Sequence, residues 1–262
     1  MIVTLQRSKE RAKVGRLVDA FSSLANDVDF WTRLLSEDVL TELARWEPED
    51  AVMLADDDCL DRVAEAFAKV VDAKSPWTYQ HSTRVAEIAV GIADEFGCPR
   101  ELTRDLRRAA LLHDIGKLGV SNRILDKAGT PTPDEVVQIQ KHPAYTQQIL
   151  EQVAAFRKLA DVASAHHERL DGKGYHRGLD ASQLPWEARV LVVADVFEAM
   201  SAKRPYRDAL PLEKIDEILA SEAGRGFDAD CIDALHRWFG HQEFESRVEE
   251  QMQEVERLLA EL

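Results

Sequence analysis

Paired histidine and aspartate residues are the side chains of this sequence best suited to chemistry. His113 precedes Asp114 and His166 precedes His167, and further candidate ligands stand alone at His81, His142 and Asp195. Imidazole binds Zn, Fe, Mn or Co, while a carboxylate can bridge two ions. Two ions about 3.5–4 Å apart would clamp a phosphate and supply an activated hydroxide. The pattern predicts a metallohydrolase in which Asp114 is the bridging carboxylate.

The bulk composition is that of a globular protein with an acidic surface. The 262 residues carry a formal net charge of −15, and 45% of them are hydrophobic. This acidity argues against binding of a nucleic-acid polymer, which requires a positive surface. The three cysteines show no CxxC spacing, so neither a disulfide framework nor a thiolate metal site is expected. Without a signal peptide or a membrane-spanning apolar run, the sequence predicts a cytoplasmic protein that does not enter the membrane.

Helical periodicity dominates the chain, and alternation of period two is scarce, so an all-α fold is predicted. Apolar spacing predicts helices near residues 14–28, 40–46, 60–71, 78–96, 99–114, 133–149, 155–167, 185–200, 212–220 and 228–239. The helix over 155–167 is expected to end at the paired histidines. Two long segments, 116–133 and 171–184, are expected to be functional loops because they combine glycine with basic residues.

The domain organisation follows from one break and one terminal pattern. Lys74-Ser75-Pro76 interrupts the helical periodicity, which predicts a helical N-terminal extension over 1–74 and a catalytic domain over 75–240. Residues 241–262 carry an apolar stripe that includes Phe244, Val248 and Met252, and they predict a C-terminal amphipathic helix. That helix could pack on its own domain or dock to a partner, and the terminal helices could form a homodimer.

Five sequence blocks occur in order between residues 75 and 235. They read His81-Ser82-x-Arg84-Val85-Ala86; Leu111-Leu112-His113-Asp114-Ile115-Gly116-Lys117; His142-Pro143; His166-His167-Glu168-x-x-Asp171-Gly172-x-Gly174-Tyr175-x-x-Gly178-Leu179; and Ala194-Asp195 followed by Arg204-Pro205-Tyr206-Arg207. With these blocks the chain resembles the HD-GYP subgroup of the HD-superfamily metal-dependent phosphohydrolases.

The resemblance implies an HD-type helical bundle that hydrolyses cyclic dinucleotides, chiefly cyclic di-GMP, through a metal-activated water. Carried over residue by residue, it implies that the metal ligands are His81, His113, Asp114, His142, His166, His167 and Asp195. It implies that substrate contacts come from Lys117, Tyr175, Arg204 and Arg207. Lys117, with Asp114, is the expected catalytic residue, because an ammonium can stabilise charge on a phosphate oxygen. The implied cofactor is a pair of divalent ions, iron or manganese.

Three positions depart from the pattern of the family. His176 stands where the family usually has proline, so the loop Gly174-Tyr175-His176 is expected to be more mobile. In the family this loop is linked to substrate access and to a signalling partner. Thr146 stands where glycine often occurs, a change expected to affect helix packing and to say little about the ligands. Trp77 occupies the position of an acidic residue that adds a third metal in some members, so two ions are expected.

Several alternatives stay open at this point. The altered loop is also compatible with a low-turnover receptor that binds the dinucleotide and signals through partners. An HD-type enzyme acting on mononucleotides is a further alternative, which Arg204-Pro205-Tyr206-Arg207 disfavours. Glu168 and Asp171 could be metal ligands, or they could hold the glycine loop or orient a histidine.

Overall fold

The structure is a computed structural model that describes residues 22–24, 27–34, 36, 55–74, 80–127, 129–202 and 209–241. Several sequence predictions lie outside these residues: most of the helix near 14–28, the helix near 40–46, Trp77, Arg204, Arg207 and the stripe over 242–262. The chain divides into two compact units, Met1–Leu54 and Ala55–Leu262. In the first unit, helix α1 (Val28–Leu34) begins after Asp27, whose carboxylate accepts a hydrogen bond from the Phe30 amide at 2.8 Å.

The second unit is built from helices. They are α2 (Asp57–Asp72), α3 (His81–Glu95), α4 (Arg100–Leu112), α5 (Asn122–Leu125), α6 (Pro133–Ile139), α7 (His142–Gln152), α8 (Ala160–Ala163), α9 (Trp186–Ser201), α10 (Leu212–Glu222) and α11 (residues 229–241). Two 3₁₀ turns lie at Ile115–Gly119 and Arg157–Leu159. Within the described ranges, β pairing is limited to two isolated bridges, so the predicted all-α fold is confirmed. No helix among these residues is both long enough and apolar enough to cross a membrane.

Helix α9 lies at the centre of the second unit. It packs against α3, α4, α8 and α10, and ten of its sixteen residues are buried. A helix that is apolar on all sides has to be covered on all sides. Its neighbour α3 packs on α4 along most of its length, because small and branched apolar residues face each other there. Each large apolar side chain buried in this core contributes about 1.5–3 kcal/mol.

Helix α2 belongs to the same compact unit as the five sequence blocks. It packs on α3 and α4, and its Asp61 accepts hydrogen bonds from Arg104 Nε at 2.8 Å and from the buried Arg108 Nε at 2.5 Å. The expected boundary near residue 74 would have assigned this helix to the N-terminal extension. Its contacts with α4 place α2 in the compact unit Ala55–Leu262, and the predicted domain boundaries stay a prediction.

The predicted continuous helix over 155–167 is wrong. The chain forms a 3₁₀ turn, the four-residue helix α8, and then a tight turn that contains His166 and His167. In that turn the Ala165 amide bonds to Val162 O at 3.1 Å and the Glu168 amide to Ala165 O at 2.8 Å, a three-residue spacing in place of the α-helical four. The tighter turn places both imidazoles next to the other histidines, a tertiary contact that sequence periodicity does not encode.

Candidate metal centre

The predicted ligands stand mainly at helix ends. His81 and His142 are the first residues of α3 and α7, and His113 directly follows the last residue of α4. Asp195 lies within α9, while His166 and His167 occupy the turn after α8. Because α3, α4 and α8 pack on α9, and α7 packs on α8 and on the 3₁₀ turn Ile115–Gly119, the structure brings all seven predicted ligands together, six of them buried and His167 half-buried.

The first group of ligand atoms surrounds one oxygen of Asp114. Its Oδ2 lies 3.4 Å from His113 Nε2 and 3.6 Å from His81 Nε2. Asp195 Oδ1 adds a second carboxylate oxygen, 3.3 Å from His81 Nε2 and 3.8 Å from His113 Nε2. His81, His113 and Asp114 form a cluster that could hold a metal ion.

The second group surrounds the other oxygen of the same carboxylate. Asp114 Oδ1 lies 3.3 Å from His142 Nε2 and 3.7 Å from His166 Nε2, and those two nitrogens are 2.9 Å apart. His167 completes this cluster, with its ring 4.2 Å from that of His166 between centroids. The two oxygens of Asp114 therefore face two separate sets of imidazoles.

The donor set fits a cation. His113 Nε2 is buried without a hydrogen-bond partner among the described residues, although a buried ring nitrogen normally has one. Its Nδ1 is occupied by Ala110 O at 2.7 Å, and since a carbonyl only accepts, Nδ1 carries the proton. Nε2 therefore carries a lone pair that faces the carboxylates of Asp114 and Asp195, an arrangement that a cation bound between them would satisfy.

The other imidazoles are oriented in two different ways. His142 and His166 contact carbonyls three residues earlier through Nδ1, at 2.7 and 2.8 Å. His81 is the first residue of α3 and uses a side chain from another helix, with Nδ1 2.5 Å from Glu198 Oε2. Glu198 is buried and lies on α9, one turn after Asp195. The sequence analysis missed Glu198, although its i+3 spacing from Asp195 could have indicated it.

The surroundings of several candidate ligands shift their pKa values. Burial alone would raise the pKa of Asp114, but Lys117 and the neighbouring imidazoles hold it well below its usual range. Burial lowers the pKa of His166 far below normal and that of His167 to about 4, so both rings are neutral at pH 7. For His81 the carboxylates of Asp195 and Glu198 outweigh burial and raise the pKa to about 9. Neutral imidazoles and ionised carboxylates are the forms that bind metal, so His81, whose raised pKa keeps it protonated at pH 7, would have to release its proton to a bound ion.

Two of the predicted substrate-binding residues lie beside the ligands. Lys117 follows Asp114 in the 3₁₀ turn, with Nζ 2.5 Å from Asp114 Oδ2 and 21% of its side chain exposed. The ring of Tyr175 lies over His167, with centroids 4.8 Å apart and planes at 31°. Burial, followed by Asp195 and Asp114, raises the pKa of the Tyr175 hydroxyl, which therefore stays protonated.

Glu168 anchors the loop that carries Tyr175. It is buried, and its two oxygens accept hydrogen bonds from the amides of Arg177 at 2.7 Å and Leu179 at 2.9 Å. A Cβ at Gly174 would lie 2.4 Å from Glu168 Cα, so only glycine permits this approach. The loop backbone is held on both sides of His176, which counts against the expected gain in mobility.

Asp171 also supports the loop. Its Oδ1 accepts from the Lys173 amide at 3.1 Å and pairs with Arg169 Nε at 3.1 Å. Among the residues that the structure describes, neither Asp171 nor Glu168 belongs to a cluster that could hold a metal. Of the two interpretations given to these carboxylates, the structure supports the one in which they hold the glycine loop.

Comparison with known proteins identifies the family. The family described as HD domain matches residues 65–231, a range that contains all seven predicted ligands. The chain belongs to the HD domain family. This confirms the resemblance drawn from the sequence blocks, and the HD-domain phosphodiesterases are metal-dependent enzymes. The histidine and aspartate clusters are consistent with that chemistry.

Curated proteins to which the chain is similar include cyclic-dinucleotide phosphodiesterases. The HD domain chain is 42% identical over 222 residues to the 3'3'-cGAMP-specific phosphodiesterase 3 of Vibrio cholerae, covering 85% of this chain and 48% of that protein. It is 36% identical to the cyclic di-GMP phosphodiesterase response regulator RpfG of Xanthomonas campestris, covering 65% of this chain and 46% of that protein. A crystal structure of the V. cholerae cyclic GMP-AMP phosphodiesterase V-cGAP3 matches with a TM-score of 0.51 and 37% identity, covering 90% of this chain and 55% of that one. The chain spans about half the length of these relatives.

Proposed function

We propose that this HD domain protein hydrolyses a phosphodiester bond of a cyclic dinucleotide with metal-activated water. One observation carries the proposal: the two oxygens of Asp114 face two separate groups of histidines. A carboxylate placed between two ligand sets can bridge two ions. The names of the relatives, one specific for 3'3'-cGAMP and one for cyclic di-GMP, support the substrate class.

The proposed cofactor is a pair of divalent ions, iron or manganese. Seven residues would hold them: His81, His113, Asp114 and Asp195 on one side, and His142, His166 and His167 on the other, with Asp114 shared. The bound ions would activate water and neutralise charge that develops on the phosphate. The mixed imidazole and carboxylate set suits iron or manganese, and it contains no thiolate that would favour softer ions.

The remaining side chains of the site would act on the substrate directly. Lys117 is the proposed catalytic cation: it is partly exposed beside Asp114, so its ammonium can reach a phosphate oxygen as well as the carboxylate. Tyr175 presents a protonated hydroxyl and a ring at the edge of the ligands. Arg204 and Arg207 are proposed to bind the phosphates, which would place positive charge locally in a chain of net charge −15.

A low-turnover receptor is the second candidate function, because His176 replaces the usual proline in the loop beside Tyr175. The proposed signalling partner at Gly174-Tyr175-His176, the homodimer through the terminal helices and the cytoplasmic location stay predictions.

Anaerobic purification with elemental analysis, followed by turnover assays, tests the proposal. Wild-type protein should contain two ions per chain and convert cyclic di-GMP, 3'3'-cGAMP or both to linear products, whereas Asp114→Ala should contain neither ion and release no product. Asp216→Ala, an exposed carboxylate on α10, is the matched control and should behave as wild type. Metal-loaded protein that binds a dinucleotide without product would support the receptor, and turnover confined to mononucleotides would support a different HD enzyme.

A further inference from the structure

Thr146 joins two segments that carry candidate metal ligands. It is fully buried on α7, one helical turn after His142. Its hydroxyl donates a hydrogen bond to His113 O at 2.8 Å and accepts one from the Gly116 amide at 3.0 Å. The hydroxyl therefore bridges both ends of the turn in which Asp114 lies.

The backbone of that turn touches the start of α7. A Cβ on Gly116 would lie 1.9 Å from His142 O and 2.5 Å from the Thr146 amide nitrogen, so the two chains approach as closely as glycine allows. The turn carries His113 and Asp114, which belong to the first ligand group, and α7 carries His142 of the second. The separation of the two ligand groups is set at this contact.

We propose that Thr146 is a positioning residue for the metal centre: its hydroxyl holds the turn around Asp114 so that each carboxylate oxygen faces its own histidines. The proposal rests on the proposed function, since the ions concerned are those of the phosphodiesterase site. It departs from the expectation, based on sequence alone, that Thr146 would say little about the ligands.

The physical reason is the hydrogen bonding of a helix end. His113 O is one of the last carbonyls of α4, and such groups need partners outside the helix. A hydroxyl can satisfy this carbonyl and the Gly116 amide together, because it donates and accepts at once. Replacement by valine would leave both backbone groups buried and unpaired. The turn could pair them with each other only by moving, and Asp114 lies between them.

Titration of the metals into matched variants tests the proposal. Thr146→Val removes the hydroxyl and keeps the shape, and Thr146→Ser restores it. Thr103→Val is the control, because the Thr103 hydroxyl on α4 has no partner among the described residues. Each metal-free chain would be titrated with Mn²⁺ by equilibrium dialysis, and with Co²⁺ while the visible absorption spectrum is recorded. Thermal unfolding of the metal-free chains would report stability separately.

We expect Thr146→Val to bind one of the two ions at least about 10-fold more weakly, since loss of a group that orients ligands costs about 10–100-fold in affinity. Its Co²⁺ spectrum should also differ from that of the wild type. Thr146→Ser and Thr103→Val should match wild type in both. A Thr146→Val chain with wild-type affinities and spectrum would overturn the proposal, even if it unfolds at a lower temperature. If valine prevents folding, Thr146→Ala gives the same two readouts.

The wild-type titration separates this proposal from the proposed function. A wild-type chain that binds no ions would refute the metal centre and the role of Thr146 together. A wild-type chain that binds two ions, beside an equally competent Thr146→Val chain, would refute the role of Thr146 alone.

Discussion

At the scale of single residues, the site is defined by which ring nitrogen each histidine leaves available. His113, His142 and His166 bond to main-chain carbonyls through Nδ1, whereas His81 contacts the carboxylate of Glu198. The candidate ligands could be named from the sequence through the family resemblance, and the structure brings these seven side chains together. Their supporting partners were missed, because Glu198 and Thr146 contact residues 117 and about thirty positions away in sequence, and only Glu198 carried a local signal, its i+3 spacing from Asp195.

Glu198→Gln tests the support of His81. Glutamine still accepts a hydrogen bond but lacks the charge that favours a strongly basic imidazole, so we expect metal affinity to fall about 10–100-fold. Metal content measured against free metal concentration would show the loss. Glu213→Gln, an exposed position on α10, serves as the control, and an unchanged affinity in Glu198→Gln would remove Glu198 from the centre.

Lys117→Ala tests the proposed catalytic cation. Removing one preorganised donor to a developing charge typically lowers kcat about 10²–10³-fold, so turnover should fall by that order. At saturating metal both ions should still bind, because Lys117 is no ligand. Elemental analysis beside single-turnover rates would check both statements, with Lys214→Ala on α10 as the surface-lysine control. Loss of the ions in Lys117→Ala would mean that its role is to hold Asp114.

At the scale of elements, helices with a clear apolar periodicity were predicted well and short segments were not. The helix predicted over 60–71 corresponds to α2, but the one over 155–167 breaks before His166. The stripe on α2 repeats over several turns, and burial of that stripe needs no knowledge of distant residues. The turn after α8 is set by the packing of His166 among His113 and His142, which the local sequence does not contain.

Glu168→Gln tests how the Tyr175 loop is held. The backbone amides of Arg177 and Leu179 each donate to one oxygen of the Glu168 carboxylate. In glutamine an NH₂ group replaces one of these oxygens, so one of the two hydrogen bonds would be lost. We expect tryptic cleavage after Lys173 or Arg177 to become faster and kcat/KM to fall about tenfold, at constant metal content, since one buried hydrogen bond to a charged group is worth about 1.5–3 kcal/mol. Asp180→Asn, which keeps its acceptor for Ser182, is the control. Unchanged cleavage and kinetics would show that Glu168 does not hold the loop.

Asp61→Asn tests the junction of α2 with α4. Burial alone would raise the pKa of Asp61, but hydrogen bonds from Arg104 and Arg108 lower it below 3.8. A carboxyl group with a lowered folded-state pKa stabilises the fold above its unfolded-state pKa and loses that contribution as pH falls through the folded value. At pH 7 the free energy of unfolding of the variant should be about 2 kcal/mol lower than that of the wild type. Denaturant titrations should show this difference shrinking below about pH 4; a difference independent of pH would contradict the assignment.

At the scale of the whole second unit, the candidate metal centre joins elements that are distant in sequence. Its proposed ligands come from α3, α4, α7, the turn after α8, and α9. Each ion bound there would stabilise the folded unit by about 4 kcal/mol when the free metal exceeds its dissociation constant 1,000-fold. Loss of even one ion to a chelator should therefore lower the Tm by about 10 °C, at about 2–4 °C per kcal/mol for a unit of this size. Calorimetry with and without chelator would measure the shift, and Asp114→Ala, which should lack the ions, should show none.

The contact between Gly91 and Trp238 links helix α3, which begins with His81, to helix α11. Gly91 lies on α3, ten residues after His81, and a Cβ at this position would be 2.3 Å from the indole of Trp238 on α11. Even a methyl group there would require the indole ring or one of the helices to move. The helix whose first residue is a candidate ligand is thus fitted directly to the last helix that the structure describes. We therefore expect a change in the tilt of α11 to be transmitted along α3 to His81.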